Sequence, residues 1–159
     1  MKAAGIILII LCLAAFIGMG VLYFQANLTV AAVECYATDA LNQEETFNRL
    51  KEEAAAGTFT GTLFGSLEAA EAKDCQFYTY VLRAENRAFL KAEVLEIQIT
   101  PMSGDLLQMG AEGPVDLASG KVTELSATIL TGKDARNVRE ATVSWYFWGI
   151  PFSTRVTCK

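Results

Sequence analysis

A mainly β domain hung from an N-terminal membrane helix is the fold class this sequence predicts, and three observations predict it. Residues 3–24 carry no charged side chain, and a run of about 20 apolar residues is enough to cross a hydrocarbon core about 30 Å thick as a helix. From residue 75 onward, short apolar stretches of period two are separated by Gly, Pro, Asn and Ser, the pattern of antiparallel strands joined by turns. Between the two lies one segment, about residues 42–56, with helical spacing. The expectation is a single transmembrane helix within residues 1–26, followed over residues 27–159 by an antiparallel β-sandwich with one inserted α-helix.

The first element fixes the orientation. Lys2 and the amino terminus flank the apolar run on one side, and the next charge is Glu34. This asymmetry keeps the N-terminus in the cytoplasm and exports the rest. The expected localisation is therefore the cell membrane, single-pass, with an extracytoplasmic C-terminal domain. The competing reading is a cleaved signal peptide, whose apolar core is only about 7–15 residues and ends in a small-residue cleavage site. Here the run is longer, and no such site is well formed.

Residues 28–36 include Thr29, Val30, Val33 and Tyr36, which suit a strand. The alternative is one continuous helix from the membrane to residue 56, the architecture of a pilin-like filament subunit. A helix then starts at Asn42, with Glu45 in the capping-box position, and ends at Gly57. Leu41, Phe47, Leu50 and Ala54 give it an apolar side. Gly57, Gly61 and Gly65 mark a turn-rich connection. Strands follow over 76–85, 92–100, 106–109, around 115–117 and 122–130. A final hairpin sets Ala141, Val143, Trp145 and Phe147 on one face, turns at Gly149-Ile150-Pro151, and returns through Phe152, Thr154 and Val156.

Within this pattern, the run from Tyr80 through Arg83, Asn86, Arg87, Phe89 and Ala92 to Val94 resembles the strand-Asn-turn-Ala-strand signature of bacterial immunoglobulin-like adhesion modules. Asn86 ends one strand and Ala92 opens the next; Arg87 replaces the usual Gly after the Asn. The resemblance covers about residues 75–158 and implies an immunoglobulin-like sandwich. It also implies that Cys35, Cys75 and Cys158 gather at the membrane-distal end. A disulfide between Cys75 and Cys158 is expected there, with Cys35–Cys75 as the alternative. The same topology brings the loops around 86–90 and 148–152 to the membrane-proximal end. Phe89, Leu90, Tyr146, Trp148, Ile150 and Phe152 are the expected contacts with the bilayer or with a partner.

Composition narrows the function. The net charge of −5 excludes a nucleic-acid-binding surface. The chain has no histidine, which removes the commonest general base and metal ligand. Neither a phosphate-binding glycine loop nor a nucleophile elbow is present, and no two cysteines are spaced as a redox or zinc motif. The sequence thus points to a non-catalytic interaction module without metal or cofactor, contacting another envelope protein or itself. The alternative is a pilin-like structural subunit, although the apolar run lacks the glutamate expected of one.

Overall fold

The computed structural model describes residues 2–25, 27–110 and 113–159, with side chains described throughout except at 2–4, 22, 24 and 25. Helix α1 (Lys2–Gln25) leads into strand β1 (Leu28–Asp39). A 3-10 turn (Ala40–Gln43) and helix α2 (Glu44–Ala56) follow, then β2 (Gly61–Leu63), a second 3-10 turn (Ala72–Asp74), β3 (Cys75–Asn86) and β4 (Ala92–Ile99). The chain ends with β5 (Asp105–Met109), β6 (Val115–Leu117), β7 (Val122–Gly132), β8 (Arg139–Phe147) and β9 (Ile150–Cys158). The protein is mainly β, in two antiparallel sheets ordered β1-β3-β7-β5-β2 and β6-β4-β8-β9, with two helices.

The helix stops at Gln25 and a strand begins at Leu28, so the continuous helix to residue 56 required by the pilin-like alternative is absent. Every described side chain from residue 5 to 19 is exposed. Among the described residues no helix is long and apolar enough to cross a membrane. The span expected over residues 3–24 is therefore not supported as such.

Strand period two divides the core. In β3, Tyr80, Leu82 and Ala84 point into the space between the sheets. They meet Leu125, Ala127 and Ile129 of β7, and across the gap Leu95, Ile97 and Ile99 of β4 and Val143, Trp145 and Phe147 of β8. Cys75 and Phe77 have the other parity. They point to the far side of the first sheet and form a second core with Leu107, Leu130 and Leu67, covered by Phe47 and Leu50 of α2. Gly57 ends α2 in the left-handed region at φ 70° and donates its N–H to Ala54, as its sequence position predicts. The N-terminal cap differs. Asn42 lies within the 3-10 turn, Gln43 stands at the N-cap of α2 without a side-chain cap bond, and Asp39 caps the 3-10 turn instead, accepting a 3.0 Å hydrogen bond from the Leu41 N–H. Leu41 itself is exposed, outside the apolar face of α2.

The two cores explain why neither expected disulfide exists. All four cysteines are free. Cys75 opens β3 on the face covered by α2, whereas Cys158, opposite Arg139, lies in the core between the sheets. Cys35 faces that same inner core but lies opposite Tyr80, well along the strand from Cys75. Burial pushes all three thiols up from their ordinary value, most simply read as inert core groups.

The connection after α2 contains β2, which pairs with β5 at Gly61↔Met109. The two backbones approach so closely that a Cβ on Gly61 would run into the Gln108 carbonyl oxygen, and one on Gly110 into that of Thr60. Gly61→Ala is expected to lower stability by about 1–3 kcal/mol through this overpacking. A drop in the denaturation midpoint checks it; an unchanged midpoint would mean that β2 can lift away freely.

Polar side chains tie the sheets together. Gln108 of β5 accepts the Ile99 N–H at 2.8 Å and donates to the Ile97 carbonyl at 3.0 Å, satisfying the side of β4 that β6 is too short to cover. Asp105 of β5 and Arg139 of β8 form a fully buried ion pair at 2.7 Å.

Candidate functional site

The final hairpin builds the most distinctive surface. Its last cross-strand pair is Phe147↔Ile150, leaving a two-residue turn of Trp148-Gly149 with φ 52° and 75°. Positive φ at both central residues is the type I′ arrangement that matches strand twist. The turn is thus one position earlier than the sequence suggests, and Ile150 and Pro151 already belong to β9. For Gly149 the conformation carries no steric cost, but for Trp148 it costs of order 1 kcal/mol. The indole is nonetheless 64% exposed. Burial of its own ring does not account for that strain.

Behind the turn, alternation sends Trp145 and Phe147 inward from β8, with Phe152 opposite Trp145. Trp145 and Phe152 stack at 6.1 Å, and Phe147 meets Phe152 edge-on at 5.5 Å. This aromatic floor is where α1 joins the domain: the Tyr23 ring lies 5.6 Å from Phe152. The Trp145 Nε1 is buried with no hydrogen-bond partner among the described residues, so packing alone compensates its desolvation.

Between helix and hairpin lies an apolar groove of about 420 Å³. Phe16, Met19, Gly20 and Tyr23 supply its helical wall, on one face by three- and four-residue spacing. Leu90, Trp148, Ile150 and Phe152 supply the other. Four of the six residues expected at this end are thereby brought together. Phe89 stands on the tip of the neighbouring loop, 81% exposed and outside the groove. Tyr146 lies across from Pro151 on the outer face of the second sheet. The residues that sequence reasoning missed are those of α1. A run apolar on every side offers no periodicity to mark the face that meets the domain.

The loop carrying Leu90 is held from beneath by Asn86. Its Nδ2 donates to the Leu90 carbonyl at 2.7 Å and to the Leu117 carbonyl at 2.8 Å, and its Oδ1 accepts the Ala88 N–H at 3.0 Å. Ser119 adds a bond to the Ala88 carbonyl at 2.7 Å. On the flanks, Arg87 pairs with Glu85 at 3.0 Å and Lys91 with Asp116 at 2.8 Å. Lys91 holds the Asp116 carboxyl below the usual carboxylate range. The end of the molecule therefore has an apolar tip and a rim of exposed, mutually compensated charges. Compared with family models, with curated proteins and with solved structures, the chain shows no match.

Proposed function

We propose that this protein is a single-pass, membrane-anchored interaction module of the cell envelope, non-catalytic, with its N-terminus in the cytoplasm and an immunoglobulin-like sandwich outside. The observation that carries this reading is α1. Its described side chains from Ile6 to Tyr23 are apolar, apart from the Tyr23 hydroxyl, and nearly all exposed. So large an apolar surface is unfavourable in water and favourable in lipid.

The strand order supports the immunoglobulin-like part. With β1, β3, β7 and β5 in the places of A, B, E and D, and β4, β8 and β9 in those of C, F and G, both sheets follow the constant-type arrangement. Two strands are additions: β2 extends the edge beside β5, and β6 lies beside β4. The Asn86 signature fits this topology as a structural clamp rather than a contact residue. The candidate partner surface is the apolar tip together with the sandwich faces around it; a partner would be an envelope protein or another copy.

Alkaline carbonate extraction of native membranes tests the anchor. The full chain is expected to stay in the pellet, and Ile9→Lys with Leu13→Lys is expected to release it, because each cation costs about 2.5–3.5 kcal/mol at the centre of a span. Extraction of the unsubstituted protein would overturn the reading.

A further inference from the structure

We infer that the hairpin tip is immersed in the outer leaflet of the bilayer, and that the groove between α1 and Trp148 is filled by lipid acyl chains. The inference rests on the anchor reading and deepens it by identifying what the tip touches. Its basis is length. The hairpin touches α1 at Tyr23 and faces the turns from Phe16 to Tyr23 across the groove, a rise of about 10 Å. Ahead of Phe16, the uncharged run from Ala3 to Ala15 rises only about 20 Å. A hydrocarbon core is about 30 Å thick, so this part falls short by about 10 Å. The helix completes a crossing only if the turns bearing the groove also lie in hydrocarbon, and the hairpin, held beside them through the Tyr23–Phe152 contact, goes with them.

The tip has the chemistry this requires. Trp148 and Ile150 are more than half exposed, and Phe89 projects beside them. One wall of the groove is α1 itself, so the groove opens into whatever surrounds that helix. Arg87 and Lys91 flank the loop of Phe89 and Leu90 with their charges already paired, at the level where headgroups would replace acyl chains. Trp148 keeps a left-handed backbone that glycine or asparagine would adopt at lower cost. An indole at the bilayer boundary gives that residue a use.

The test places the full chain in phosphatidylcholine vesicles, either plain or with acyl chains brominated near the ester end. The fluorescence of Trp148 is taken as the difference between wild type and Trp148→Phe, which leaves the Trp145 core intact. Acyl-chain bromine is expected to quench about half of this difference signal, and aqueous iodide to leave it nearly unchanged. Carbonate extraction of the same vesicles is read in parallel. Retention in the pellet with strong iodide quenching would overturn immersion of the tip while leaving the anchor standing; release from the pellet would overturn both. Protection from both quenchers would assign the groove to a protein occupant, such as a second copy, and would also overturn the inference.

Discussion

Asp105→Ala is expected to destabilise the sandwich by about 3–5 kcal/mol, the cost of leaving one member of a buried ion pair without the other. Both side chains are fully screened from solvent. Asp105 accepts from Arg139 at 2.7 Å on Oδ1 and at 3.3 Å on Oδ2, and its Oδ2 also takes the Met102 N–H at 2.7 Å. Arg139 donates from Nη1 to the Arg136 and Val138 carbonyls, so the guanidinium is also held by the backbone at the start of β8 and just before it. Truncating Asp105 strands a cation between the sheets and frees the 102–105 turn at once. Removing both charges with apolar groups of similar volume, as in Asp105→Leu with Arg139→Met, is expected to recover most of the loss, since the desolvation penalty disappears with the charges. Urea denaturation of the full chain in detergent measures both variants. A single-variant cost under about 1 kcal/mol, the range of an exposed pair, would show that water reaches the site.

This pair also marks the limit of what the sequence could reveal. Period two within β4, β7 and β8 was legible because each of these strands buries one face along most of its length, whereas β3 reads as apolar on both faces and contributes to both cores. Asp105, by contrast, follows Ser103-Gly104 and reads as a solvated turn residue; nothing local announces a partner 34 residues away. The cysteines failed for a related reason. Cys75 and Cys158 stand at strand ends, at the start of β3 and the end of β9, but pairing depends on which face of the sheet each thiol occupies. That was decided by α2 and the segment after it, which cover the outer face of β3 and draw Cys75 toward Phe77 and Leu107. A three-residue strand such as β2, with no buried side chain, leaves no periodic trace; only Gly61 and Gly110 hint at the close backbone approach. At the tip, the loop and hairpin residues Leu90, Trp148, Ile150 and Phe152 were legible, whereas the helical wall was not.

Asn86→Ala is the second substitution with a large expected effect, about 3 kcal/mol, and it links the fold to the tip. Asn86 is fully buried, and its amide makes three hydrogen bonds to backbone groups, two in the loop that follows it and one at the end of β6. Its own backbone joins the same knot, taking the Gly120 N–H at 2.8 Å and donating to the Lys121 carbonyl at 2.9 Å. Alanine removes every side-chain partner. The carbonyls of Leu90 and Leu117 and the N–H of Ala88 then compete for water that must enter the core, at about 1–3 kcal/mol for each group left buried and unmet. Asn86→Asp keeps the acceptor for Ala88 but loses both donors and buries a charge facing two carbonyl oxygens, so it is expected to cost at least as much. The loss should be local before it is global: in Asn86→Ala, hydrogen exchange should accelerate first at Ala88–Leu90 and at Ser119–Gly120, while the strands around Tyr80 and Val143 stay protected. Leu90 would then leave the groove wall although no groove residue had changed. Uniform loss of protection throughout both sheets would instead mean that Asn86 holds the whole sandwich together and not only the end that carries the groove.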